Sequence, residues 1–257
     1  MKLQSLLLVS LSLAFAACAG QTYRVDAGPM FVRARGEFAL ADSSQRMPPN
    51  NSLDGNLGLG DNEVSPYLGF RTDFEKHRVR LNGFYLDTEG SGNLGAGGAG
   101  GFAHGNIAAG EFVQTSMDFF AIASNYTYEV WRKENYRVAM GAQLGFYSLD
   151  VTARRPGFGR EEVTSEVFVP MPYLEAEAYW KDMTFGANMG VMAGDLGDAN
   201  GRYWDFEGYA SWAVNQKYDL KASYRYILLD GYGRASSRDF DADVDVQGLY
   251  ISAGVRF

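Results

Sequence analysis

The sequence predicts an all-β fold: a membrane-crossing antiparallel up-and-down barrel of about ten strands, with eight as the alternative. Three observations predict it. Segments with apolar residues at every second position recur along the whole chain. The joints between these segments alternate strictly between short and mostly long. Residues paired across the short joints separate into one oily face and one charged face.

Composition sets the outer bounds. The chain has 257 residues, 46% apolar, 14% aromatic and 21% charged, with 31 Gly and 7 Pro, which excludes a disordered polymer. A net charge of -8 gives nucleic-acid binding little electrostatic support. Lys2, the apolar run Leu6 to Ala16 and the small residues Ala17-Cys18-Ala19 have the order of an export signal. Residues 1–19 are therefore expected to be a signal peptide and residues 20–257 the barrel. Phe15-Ala16-Ala17-Cys18 also resembles a lipoprotein signal with Cys18 lipidated, although that pattern favours Leu where Phe15 stands. In either case no cysteine remains to form a disulfide.

No later apolar run reaches the 18 or so residues of a membrane helix. Strands are expected at 23–40, 64–76, 77–88, 113–131, 136–151, 165–180, 183–194, 202–214, 218–230 and 243–257. Gly28-Pro29 interrupts the first, where a parity shift suggests a bulge; if this segment is a plug, eight or nine strands remain. The short joints fall at 76–77, 131–135, 181–182 and 215–217. The long ones span 41–63, 89–112, 152–165, 195–201 and 231–242.

An antiparallel register holds the index sum constant. About the first short joint this pairs Glu75 with Arg78, Asp73 with Arg80 and Arg71 with Asn82, against an apolar face where Phe74 meets Val79. About the second, Tyr128 meets Val138 and Phe120 meets Phe146, with Glu129 opposite Arg137 on the other face. The third pairs Trp180 with Met183 and Leu174 with Met189, leaving Glu175 and Glu177 on the opposite side. The fourth pairs Trp212 with Leu220 and Phe206 with Tyr226, against Glu207 facing Arg225 and Ser211 facing Lys221.

A soluble sandwich also alternates, so the choice rests on which face is buried. The oily face is dense in Phe, Tyr, Trp, Leu and Met, with Tyr128, Tyr136, Trp180, Trp204 and Trp212 near strand ends, as a lipid-facing belt requires. Paired charges are costly in a sandwich core but suit a wet or salt-bridged lumen. The predicted luminal set is Arg71, Asp73, Glu75, Arg78, Arg80, Glu129, Arg137, Glu175, Glu177, Glu207, Lys221 and Arg225, joined by Asp219 and Arg256. Pairs of opposite sign predict a largely closed interior, because a selective pore more often carries a ring of one sign.

The last strand carries Leu249, Ile251, Ala253, Val255 and a terminal Phe257 on one face. That pattern resembles the C-terminal signature of bacterial outer-membrane β-barrel proteins, and the chain is similar to the small barrels called simply outer membrane β-barrel domains. The resemblance implies recognition of Phe257 by the barrel assembly machinery and residence in the outer membrane among lipid and lipopolysaccharide. It also implies both termini in the periplasm and long loops outside, where extracellular ligands could bind. It implies no activity.

No cofactor motif survives scrutiny. GAGGAG at 95–100 matches a dinucleotide fingerprint in letters, but no βαβ unit surrounds it. With two histidines there is no zinc-type cluster, and no P-loop lysine is present. A rim hydrolase would have to use His104 with Glu111, Ser116 or Asp118, since His77 falls in a short joint at the other end. Asp239, Asp241, Asp243 and Asp245 alternate along one side of an extended segment. They form either a solvated acidic rim paired with Arg234, Arg238 or Arg202, or a divalent-cation site bridging lipopolysaccharide phosphates. The function classes left are a structural or surface-interaction barrel, a small pore, and an outer-membrane hydrolase.

Overall fold

The computed structural model describes residues 21–42, 51–94, 110–157, 159–196, 199–235 and 238–257. The expected signal segment with Cys18, the GAGGAG stretch and His104 lie outside the described residues.

The elements in order are β1 (Thr22–Asp42), β2 (Asn51–Ser52), β3 (Glu63–Phe74), β4 (His77–Asn93), β5 (Phe112–Lys133) and β6 (Tyr136–Arg155). They continue with β7 (Gly159–Trp180), β8 (Met183–Leu196), β9 (Ala199–Ala213), β10 (Tyr218–Ala235) and β11 (Arg238–Arg256). Each long strand pairs antiparallel with the next, and β11 pairs with β1 from Arg24↔Arg256 to Asp42↔Arg238. Ten long strands thus form a closed ring with no free edge, which satisfies every wall without a second sheet. β2 is a two-residue addition on the margin of β1 above β3, pairing Glu37↔Ser52 and Phe38↔Asn51.

The two ends of the ring differ. At one end lie the short turns 75–76, 134–135, 181–182 and 214–217 together with the start of β1 and the end of β11, Tyr23 N donating to Phe257 O at 2.9 Å and Arg256 N to Lys217 O at 2.7 Å. This end is called lower here. Glu75 and Lys181 take φ of 53° in their turns.

Several expectations change in detail. The strand β1 runs straight through Gly28-Pro29: the index sum with β11 is 280 at Ala27↔Ala253 and again at Met30↔Tyr250, so there is no bulge or parity shift. Gly28 is needed for close approach, because a Cβ there would run into the backbone carbonyl of Ile251. Three joints expected to be long loops, 152–165, 195–201 and 231–242, are mostly strand, as β6 and β7, β8 and β9, and β10 and β11 continue upward.

Two registers shift by two residues. Asp73 faces Arg78, and Arg71 faces Arg80. Tyr128 faces Met140 and Glu129 faces Ala139, with a bulge between Glu129 and Trp131. A two-residue slip keeps every side chain on its face, so the division into oily and charged sides survives the error. The third and fourth hairpins keep the expected register, with Trp180↔Met183 and Trp212↔Leu220.

Along β6 the outward residues are Met140, Ala142, Leu144 and Phe146, then Ser148, Asp150, Thr152 and Arg154. The same change from apolar to polar falls between Tyr85 and Asp87 on β4, Phe120 and Asp118 on β5, Phe168 and Glu166 on β7, and Leu249 and Gln247 on β11. The inward residues change in the opposite sense. Low on the wall they are Arg137, Glu175, Glu207 and Lys221; higher up they are Met117, Val151, Val169, Val244 and Val246, all buried.

Candidate functional site: the filled interior

The lower interior is an ion network anchored on two strands. Glu175 and Glu177, both inward on β7, meet Arg78 and Arg80 of β4 from across the ring. Arg78 contacts Glu175 directly and lies 2.8 Å from Glu177, while Arg80 Nη2 is 3.1 Å from Glu175. Arg137 of β6 adds 2.6 Å to Glu175 and 3.1 Å to Glu129. On β9, Glu207 takes Lys221 Nζ at 2.5 Å, Ser223 at 2.9 Å and the Tyr250 hydroxyl at 2.5 Å. Asp205 receives both Nε and Nη2 of Arg225, at 3.0 and 2.7 Å, a two-pronged geometry only Arg can supply. Gln143 of β6 donates to the same Asp205 at 2.6 Å, and Arg225 Nη1 reaches Asn82 of β4 at 2.6 Å.

These bonds join β4 to β7, β4 to β10 and β6 to β9, none of which are neighbours in the sheet. They therefore cross the interior. Among the described residues, eight carboxylates (Asp26, Asp73, Glu129, Glu175, Glu177, Asp205, Glu207, Asp219) face eight cations (Arg24, Arg71, Arg78, Arg80, Arg137, Lys221, Arg225, Arg256). The charge of this lower network balances, so desolvating it leaves no net ion behind. Near the wall, one cavity of about 30 Å³ is lined in part by Arg24, Asp26, Arg80, Glu207, Tyr209 and Lys221. That volume suits an isolated water.

An aromatic layer closes the network from above. Tyr67 and Tyr250 stack with centroids 4.0 Å apart, Phe84 lies 5.9 Å from Phe119, and Phe119 lies 6.3 Å from Tyr147. The Arg225 guanidinium sits 5.7 Å over the Phe84 ring, tying the two layers together. Over the aromatics lies an apolar core that receives the segment after β2. Leu53, Leu57 and Leu59 are fully buried in it. The segment is held by Leu53 N to Gly36 O at 2.8 Å, Thr115 Oγ1 to Leu57 O at 2.5 Å and Asn56 Nδ2 to Asn93 O at 3.2 Å. At its exposed tip the Ser52 hydroxyl bonds Asp54 and holds that carboxyl below its ordinary range.

Three expected luminal contacts need correction, and a fourth holds in a shifted register. Glu75 is exposed in the β3–β4 turn and takes no part in the interior, because the turn is centred one residue earlier than expected. Asp73 bonds Arg78 at 2.5 Å and Arg71 at 2.6 Å instead of Arg80, which turns to β7. Glu207 and Arg225 are opposite in the backbone, yet their side chains part, Glu207 to Lys221 and Arg225 to Asp205. Glu129 and Arg137 do pair, but diagonally across the bulge. Sequence reasoning missed Arg24, Asp26 and Asp205. The signal was there: all three share the parity of the inward residues on their own strands, Met30 and Val32 on β1 and Glu207 on β9.

Glu111 pairs with Arg155 at 2.8 Å, and the other described candidates lie on the outside. Leu249, Ile251, Ala253, Val255 and Phe257 all face outward, and the Phe257 ring stacks on Tyr23 at 5.9 Å. Ser116 and Asp118 point from the outer wall of β5, with Tyr85 donating to Asp118, so neither enters the barrel mouth. Asp241, Asp243 and Asp245 also face outward; the side chain of Asp239 is outside what is described. Arg202 pairs with Asp230, which faces Asp243 in the register, and partial burial with the Asp230 and Asp245 carboxylates holds Asp243 above the ordinary carboxylate range. Among the described residues no His, Cys, Asp and Glu side chains group in a way that could hold a metal.

No protein-family model matches the chain, and no curated protein does. Solved structures do. The outer membrane protease OmpT of Escherichia coli superposes with a TM-score of 0.58 at 10% identity, over 94% of this chain and 99% of that one. The translocator domain of the autotransporter NalP from Neisseria meningitidis gives 0.46 at 12% identity, over 100% and 95%. The Ail protein of Yersinia pestis gives 0.40 at 10%, over 93% and 100%. At these identities the likeness concerns the fold alone, and the OmpT superposition carries it: this chain has the fold of a bacterial outer-membrane β-barrel protein.

Proposed function

We propose that the protein is an integral outer-membrane barrel whose interior is closed, serving a structural or surface-interaction role rather than conducting solutes. In this reading the lower half sits in the bilayer with the short turns and both termini in the periplasm, and the upper half stands above the lipid as a solvated platform. The outward band from Phe146 to Tyr136 on β6, with Trp180, Trp204 and Trp212 on neighbouring walls, supports the membrane position. The outward face of the last strand, ending in Phe257, supports delivery by the barrel assembly machinery.

One observation carries the closed reading: charge-balanced side chains bond across the lumen, from Arg78 to Glu177 and from Arg225 to Asn82. A conducting pore would need those bonds broken and the freed ions hydrated. Planar-bilayer recording of the refolded mature chain tests this. Small or intermittent current is expected, whereas a large steady conductance would replace this reading with that of a pore.

A further inference from the structure

The lower rim carries two aromatic corners, and they differ from the rest of that end. At the β5–β6 tip the Lys133 ammonium lies 5.5 Å over the Trp131 ring and 5.8 Å over Tyr136. At the β7–β8 tip Lys181 lies 5.1 Å over Trp180. Trp131 is 51% and Trp180 63% exposed on the outer wall. The two tips are adjacent, since Tyr179 N donates to Asn135 O at 2.8 Å and Tyr136 faces Ala178. Among the described residues neither ammonium has a carboxylate partner, whereas nearby Arg132 pairs with Glu129 at 3.1 Å. Lys76 and Lys217 belong to the same rim, but among the described residues no aromatic ring lies beneath either ammonium.

We propose that these two corners bind the phosphates of anionic glycerophospholipids in the membrane leaflet at the short-turn end, an inference that rests on the membrane placement above. The chemistry fits on both sides of the headgroup boundary. Exposed indole rings settle where acyl chains give way to headgroups. A lysine lying over such a ring is kept at that depth, with its remaining N–H donors turned to the lipid phosphate. Charge favours this end over the other. Above the apolar band the outward residues Asp87, Asp118 and Asp150 stand directly opposite one another across β4, β5 and β6, which would repel a phosphate.

The test uses the refolded mature chain with Trp204→Phe and Trp212→Phe, so that fluorescence comes from Trp131 and Trp180. It is inserted into vesicles mixing phosphatidylcholine and phosphatidylglycerol, with one lipid or the other brominated in its acyl chains. Brominated phosphatidylglycerol is expected to quench as though enriched about fivefold for each lysine engaged. Lys133→Gln with Lys181→Gln should bring the enrichment to about one, while Lys76→Gln with Lys217→Gln should leave it unchanged. Equal quenching by both brominated lipids in the parent chain would overturn the inference and leave the membrane placement standing. Equal loss in the Lys76 and Lys217 variant would overturn it too, because diffuse charge would then suffice. No quenching by either lipid would overturn the membrane placement, and the inference with it.

Discussion

The lower and upper halves of this barrel are built from the same strands with opposite sidedness. On β6, Leu144 and Phe146 face out while Gln143 and Arg137 face in; a few residues on, Asp150 and Thr152 face out while Val151 and Ala153 face in. The backbone does not change across that boundary, only the medium outside it. Where the outside is oily, polar side chains must be inside, and the ionised ones are tolerated because each lies against an opposite charge. Where the outside is water, the same wall encloses an apolar core held together as any soluble protein is. The contrast predicts that the two halves should fail by different means.

The largest loss should come from the ionic half. Glu175 accepts from Arg137 at 2.6 Å and also meets Arg78 and Arg80, so Glu175→Ala takes one carboxylate from three buried guanidinium groups and leaves Glu177 as the one they share. It should cost about 3 to 5 kcal/mol in urea unfolding from phospholipid vesicles. In the apolar half, Leu57→Ala removes a fully buried side chain from the segment that fills the upper core. A cost of about 2 to 5 kcal/mol is expected there, from lost transfer energy and the cavity left behind.

Outside the wall the comparison becomes a matched pair on one strand. Met140 and Thr152 share the outward parity of β6 on opposite sides of the boundary. Met140→Arg should destabilise by about 2 to 4 kcal/mol because it puts a cation in lipid. Thr152→Arg should stay within about 0.5 kcal/mol. Similar values for the two would remove the boundary between halves. Among the charge deletions the smaller effect is expected at Asp73, whose side chain is 28% exposed and whose partner Arg78 keeps Glu175 and Glu177. Asp73→Ala should cost about 1 kcal/mol. A double-mutant cycle should find coupling between Asp73 and Arg78 but almost none between Asp73 and Arg80.

The closed ring, the strand parities and most of the luminal charges were legible in the sequence because a period of two survives small errors in register. Asp73 and Glu129 kept their faces even though their partners were assigned two residues off. Glu75 did not, because it falls in the turn itself, where alternation stops. Partner identity was less legible, since an arginine reaches past its backbone neighbour: Arg80 and Arg225 both do. The upper half was misread as loop for a physical reason. Its polar residues signalled exposure, while the apolar ones between them, such as Val244 and Val246 beside Asp243 and Asp245, were too few to count as a core until the ring brought ten strands together.

Spin labels placed one at a time at each residue from Val138 to Arg154, in the protein inserted in lipid, test the sidedness most directly through their collisions with oxygen and with a water-soluble nickel chelate. The account predicts oxygen contact at even positions up to Phe146, a change to nickel contact at even positions from Ser148 on, and little contact with either at odd positions throughout. Strong nickel contact at Arg137-side odd positions such as Ala139, Gln143 and Gly145 would mean a water-filled lumen, and would contradict the closed barrel.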